Sequence, residues 1–191
     1  FVRPLTNSTI MMLFATIGFG LVGFLDDFIK VVARRSLGLR AREKLVGQFG
    51  VAILVALYAS ARVGTDLVVP FLGQAIVLPP LVYIAFTTLV LVGAANAVNI
   101  TDGVDGLAAG STAVSAATLG LISFLLGYPD LSLFFGAVAG ACLGFTWFNA
   151  PPAQVFMGDT GSLALGAALG TGAVLSKTSL ILPIVGGLFV I

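Results

Sequence analysis

Histidine is absent from the 191 residues, and cysteine occurs once, at Cys142. The first absence excludes Ser-His-Asp and Cys-His nucleophile systems, and any imidazole metal site, from this sequence. The second excludes an internal disulfide. Cys142 lies in the apolar run GAVAGACLGF, where it reads as a small packed hydrophobe. Charge is scarce too. Only 9% of residues are charged and 59% are hydrophobic, whereas a soluble domain carries about 25% charged and about 45–50% apolar residues. With so little polar surface and a mean hydropathy of +1.14, the chain reads as an integral membrane protein. A net charge of +1 creates no bulk field for nucleic acid, and no such partner is expected. The sequence starts at Phe1 and stops at Ile191 within LILPIVGGLFVI, which reads as an internal fragment, with 1–191 forming one integral membrane domain.

What the chain has instead is apolar runs of about 20 residues, the length of a membrane-spanning helix. Six complete candidates fall at roughly 9–25, 46–63, 79–98, 107–127, 132–148 and 160–176, with a partial seventh over 179–191. The expected fold is therefore all-α, a polytopic transmembrane helix bundle in the lipid bilayer. Glycine and alanine recur in these runs (GFGLVG, LGAALGTGAV), as suits close helix packing in lipid. Six of the nine basic residues, Lys30, Arg34, Arg35, Arg40, Arg42 and Lys44, fall between the first two runs. The positive-inside rule makes that loop, 28–45, cytoplasmic. By parity, loops 99–106 and 149–159 share its side, and 64–78, 128–131 and 177–178 face outward. The outer stretch DLVVPFLGQAIVLPP, with central Gly73, predicts a short hairpin on the membrane.

The eight acids are not spread evenly on this map. Asp26 and Asp27 end the first run, Asp102 and Asp105 occupy the second cytoplasmic loop, and Asp159 occupies the third. Five carboxylates from three distant segments converge on one face. Adjacent carboxylates repel and are costly beside lipid, so GFLDDFIK calls for a cation or proton donor, which Lys30 one turn on also supplies as a plain helix-end partner. NAVNITDGVDGLAAG places Asn96, Asn99, Asp102 and Asp105 within ten residues. It is not an EF-hand, and a simple polar turn explains its glycines but not its side-chain oxygens. FNAPPAQVFMGDTGSLALG sets Asp159, Thr160 and Ser162 at a helix start, whose free N–H groups suit phosphate and whose side chains also suit capping. No Walker lysine follows. Hard oxygen donors without His or Cys point to Mg²⁺ or Mn²⁺, and cations plus a metal point to a phosphate-bearing substrate.

These motifs, in this order, resemble the polyprenyl-phosphate N-acetylhexosamine-1-phosphate transferase superfamily. NITDGVDGLAAG and PAQVFMGDTGSLALG resemble most closely its branch that transfers phospho-N-acetylmuramoyl-pentapeptide. The resemblance covers nearly the whole chain. It implies about ten transmembrane helices, each of about 20 residues, in the complete protein. It also implies the bacterial inner membrane, a cytoplasmic active site, Mg²⁺ and a homodimer. The implied reaction joins UDP-MurNAc-pentapeptide to undecaprenyl phosphate, giving lipid I and UMP in peptidoglycan synthesis. By position, Asp26, Asp27 and Asp159 match the catalytic aspartates, with Asp159 and Asp27 as metal ligands and Asp26 as the base for the lipid phosphate. Asn99, Asp102 and Asp105 match the second motif, with Asp102 beside the uracil. Asn149 and Phe156 match a polar contact and an aromatic that stacks on uracil, and Lys30 and Lys44 match substrate-binding bases, Arg42 competing with Lys44. A two-step route through an aspartyl intermediate is the alternative to direct attack. The sister N-acetylglucosamine-1-phosphate transferases are the nearest alternative function. A cation or proton transporter is remote, because transport sites usually sit near mid-membrane and these acids sit at helix ends.

Overall fold

The computed structural model describes residues 5–34, 38–72 and 74–189; Arg35 and Gly73 lie outside these. Six long helices make the body: α1 (Asn7–Val32), α2 (Ala41–Arg62), α3 (Pro80–Thr101), α4 (Leu107–Leu125), α5 (Pro129–Asn149) and α6 (Gly158–Leu175). Local chemistry starts them. Thr6 Oγ1 accepts from the Thr9 N–H at 3.3 Å ahead of α1, Glu43 Oε2 accepts from the Arg40 N–H at 2.9 Å ahead of α2, and α3 and α5 open on Pro80 and Pro129, whose missing N–H costs nothing in a first turn.

α1 to α5 are each long and apolar enough to cross a membrane, and the protein is a multi-pass membrane protein. α6 differs. Its sequence GDTGSLALGAALGTGAVL is rich in glycine, alanine and threonine, and every residue from Gly166 to Ser176 is buried. It is the axis of the bundle, packed along α1 and α3, while α4 pairs with α5 and α2 lies on α3. Small residues are what allow a central helix to be surrounded at close range, since packing rather than water exclusion holds helices together in lipid. The layers around it are filled by Met12, Leu119, Phe135 and Leu169 in one cluster and by Phe19, Val55, Leu91 and Leu163 in another. Large apolar side chains such as Ile17, Leu57, Leu133 and Trp147 point outward.

The segment between α2 and α3 is a two-stranded antiparallel hairpin, β1 (Asp66–Val68) with β2 (Ala75–Val77), Asp66 opposite Val77. Lys177, in the turn after α6, secures it. Its Nζ donates to both Asp66 oxygens at 2.7 and 2.8 Å, and its carbonyl accepts from the Val68 N–H at 3.3 Å.

Two expectations need correction. The helices outrun the apolar runs at the acidic end: α1 continues from residue 25 to Val32 and α3 from 98 to Thr101. Asp26, Asp27, Lys30 and Asn99 are therefore helical, and Lys44 stands in the first turn of α2. Apolarity marks where lipid begins, whereas a helix persists as long as its polar side chains find partners one turn away, as Lys30 and Asp26 do. The partial seventh helix is also not continuous among the described residues. After the turn come the short α7 (Leu182–Val185) and a 3₁₀ turn over Gly187–Phe189, because adjacent Gly186 and Gly187 end the α-helical pattern.

Candidate active site at the acidic end of the bundle

The N-terminus of α6 meets the last turns of α1, and two glycines make the meeting possible. A Cβ at Gly23 would collide with the Asp159 carbonyl, so no larger residue fits there. Gly158 has φ +68°, and a Cβ on it would lie 2.8 Å from Asp27 Oδ2. With the backbones this close, Asp27 accepts from the Thr160 N–H at 2.9 Å and the Thr160 hydroxyl at 2.7 Å. Asp27 thus caps α6 from another helix, complementing the dipole and free N–H groups that no side chain of α6 caps.

That leaves Asp159 free of capping. Its Oδ1 accepts from Asn99 Nδ2 at 2.6 Å, and its Oδ2 lies 3.1 Å from Lys30 Nζ and 2.9 Å from Lys44 Nζ. Lys30 also reaches Asp26 Oδ2 at 2.5 Å and Asp27 Oδ1 at 3.6 Å, so one ammonium stands among three carboxylates. Asp26 is buried, with Oδ1 accepting from the Leu39 N–H at 2.8 Å. Ser162, donating to the Gly158 carbonyl and accepting from Asn99 at 2.8 Å, holds the amide in place.

Asp26, Asp27 and Asp159 each offer an oxygen within 4.8 Å of the others. Three carboxylates, the Asn99 amide and no histidine or thiol form a donor set fitted to a hard divalent cation. Three carboxylates against two lysines also leave a net negative charge, which a divalent cation reverses and so makes the end of the bundle receptive to phosphate.

The remaining expected site residues fall around this centre in two other arrangements. Asp102 caps the end of α3, half-buried, and its carboxyl is pushed up to about 6 by burial first and by Asp159 and Asp27 second, against a Gly158 backbone hydrogen bond that lowers it. Asp105 and Asn149 are engaged with backbone. Asp105 Oδ2 accepts from the Ala153 N–H at 3.0 Å, while the buried Asn149 accepts from the Gly106 N–H at 3.0 Å and donates to the Val155 carbonyl at 2.9 Å. They staple the loop after α3 to the loop after α5. That second loop presents Phe156, 73% exposed. Arg42 is exposed while Lys44 lies in the cluster. Gln48 was not legible as a site residue: it is a lone polar position in the run QFGVAILVALYA, and the structure buries it one turn from Lys44.

With this geometry in place, residues 9–177 match the family described as glycosyl transferase family 4. The chain belongs to that family. It is 50% identical to a protein of Desulfitobacterium hafniense, over 99% of this chain and 60% of the relative. It is 48% identical to relatives from Desulforamulus reducens (95% of this chain, 55% of the relative) and a Geobacillus species (98% and 58%). All three relatives carry the name phospho-N-acetylmuramoyl-pentapeptide-transferase. The chain spans no more than 60% of the length of these curated relatives. In this member of the family, lysines and carboxylates are gathered at one end of an apolar bundle.

Proposed function

We propose that this chain carries the core of the active site of a phospho-N-acetylmuramoyl-pentapeptide transferase. It would join UDP-MurNAc-pentapeptide to undecaprenyl phosphate and release UMP and lipid I. The observation that carries the reading is the Asp26, Asp27 and Asp159 cluster threaded by Lys30 and flanked by Lys44, at one end of membrane-spanning helices. The relatives' shared name, with matches over 95% or more of this chain, supports the choice of substrates. In the complete protein, read as a single membrane domain of about ten spans of about 20 residues each, this end faces the cytoplasm of a bacterial inner-membrane homodimer. The basic residues beside it follow the positive-inside rule.

Asp159 and Asp27 would hold Mg²⁺, which when bound neutralises pyrophosphate charge and stabilises the leaving phosphate. Lys30 and Lys44 pair with phosphate oxygens and offset charge as the transfer proceeds. Asp26, held by Lys30 and the Leu39 N–H, takes the proton of the lipid phosphate. A lipid phosphate oxygen then forms its bond to the β-phosphorus as the bond to UMP breaks, and UMP leaves with the electron pair. Exposed Phe156 offers a face for the uracil, with Asp102 on the side of that pocket, while Asn99 holds Asp159. Asp105 and Asn149 hold the loop that carries that face.

The test is UMP release by the purified full-length protein from UDP-MurNAc-pentapeptide and, separately, from UDP-N-acetylglucosamine, with undecaprenyl phosphate and with or without chelator. Turnover only with the muramoyl donor, abolished by chelator, is the expected result. Turnover only with the acetylglucosamine donor transfers the chain to the sister activity, and no turnover with either overturns the transferase reading.

A further inference from the structure

One turn deeper into the bundle than Lys44, α2 carries Gln48, fully buried on a face otherwise formed by Ala52, Val55 and Ala56. Its partner is Asn96 of α3. Gln48 Nε2 donates to Asn96 Oδ1 at 3.4 Å, and Asn96 Nδ2 donates to Gln48 Oε1 at 2.6 Å and to the Val92 carbonyl at 2.8 Å. The site residues stand one turn away on both helices: Lys44 is four residues before Gln48, and Asn99 is three after Asn96. Lys44 Nζ lies 3.4 Å from Asn99 Oδ1, so the two pairs form successive rungs between antiparallel helices.

Burying two carboxamides is costly unless each is bonded. Two leucines would pack α2 against α3 as well. What leucines would not do is fix the axial position of one helix against the other, because packing tolerates sliding and a reciprocal amide pair does not. A buried asparagine sets coiled-coil register in the same way. Register matters here because each residue advances a helix by about 1.5 Å, and Lys44 stands 2.9 Å from Asp159.

We propose that Gln48 and Asn96 are positioning residues, a carboxamide clasp that fixes α2 on α3 and thereby holds Lys44 on Asp159, where it meets the donor phosphates. The last step rests on the transferase reading; the placement of Lys44 does not. Two measurements on the full-length protein keep these apart. The first is the rate at which an amine-reactive acylating reagent labels Lys44, followed by mass spectrometry, with Lys177 as reference because its pairing with Asp66 lies at the other end of α6. The second is KM and kcat for the UDP-sugar.

Gln48→Met keeps the length of the side chain and leaves Asn96 bonded to Val92, and the double change Gln48→Leu with Asn96→Leu serves if that variant misfolds. Either should raise Lys44 labelling about fivefold, the scale of one interhelical hydrogen bond in a membrane, with Lys177 unchanged. The exchange of Gln48→Asn with Asn96→Gln, which keeps both amides, should return labelling to within about twofold of the original, well inside that range. KM should rise more than kcat falls, and in a Lys44→Met background Gln48→Met should add nothing. Unchanged Lys44 labelling in a folded variant overturns the clasp, as does an equal rise at Lys177, which would signal general loosening. A wild-type protein without turnover whose Lys44 labelling still follows Gln48 would remove the transferase reading and leave the clasp standing.

Discussion

Replacing Asp159 by asparagine separates the two roles open to a carboxylate at a helix start. Asp27 caps α6 through Thr160, while the oxygens of Asp159 go to Lys30, Lys44 and Asn99. Asparagine preserves the shape and one acceptor, so the loss is the charge and one or two charge-assisted contacts, each about 1.5–3 kcal/mol. Lys30 keeps Asp26 and Asp27 as partners, which limits the expected loss of stability to about 1–3 kcal/mol, below the total of about 5–15 kcal/mol for a folded domain. Asp159→Asn should therefore fold. Function should suffer far more. Removing one preorganised electrostatic contact to a transferring group costs on the order of 10²–10³ in rate. Removing one of the few carboxylates that Mg²⁺ takes from a protein should also move the Mg²⁺ midpoint up about tenfold, or 1.4 kcal/mol. The assay is turnover of full-length protein against Mg²⁺ concentration, beside its thermal transition. Near-normal turnover with an unshifted midpoint in a folded variant would refute Asp159 as a metal ligand.

Other consequences are equally direct. Phe156→Ala should raise KM for the UDP-sugar by about 1–3 kcal/mol equivalent, as for other base–aromatic contacts. Because Phe156 is 73% exposed, the thermal transition should move by no more than about 0.5 kcal/mol, and unchanged KM would make it a bystander. Lys177 lowers the Asp66 carboxyl through its hydrogen bond, so this pair adds stability above the ordinary aspartate range and loses it as pH falls through the depressed value. The thermal gap between wild type and Lys177→Met, at most about 1 kcal/mol for a partly exposed pair, should be present at neutral pH and close on acidification; a gap that persists in acid would contradict the ion pair. Arg42→Cys and Gln74→Cys should be labelled by an impermeant thiol reagent from opposite sides of the membrane, buried Cys142 staying silent, and labelling from one side only would overturn the topology.

The order of the six long helices among the described residues was legible from composition, because runs of about 20 apolar residues have few other uses. So was the convergence of the carboxylates, since the order of the spans puts Asp26, Asp27, Asp102, Asp105 and Asp159 on one side whatever the packing. What the chain could not announce was which carboxylate does what. Asp27 and Asp159 look alike in sequence, yet contact through Gly23 and Gly158 makes one a cap in another helix and the other the acceptor of two lysines. Helix length past residue 25 was hidden because apolar periodicity follows the surrounding lipid, and the backbone follows hydrogen bonds and one-turn ion pairs. The central position of α6 was hidden as well: its many small residues say that something approaches closely, and only the packed structure says that α1 and α3 do. Gln48 shows the same division. A single amide in an apolar run carries no local signal of its purpose, which exists only once α3 brings Asn96 across to meet it.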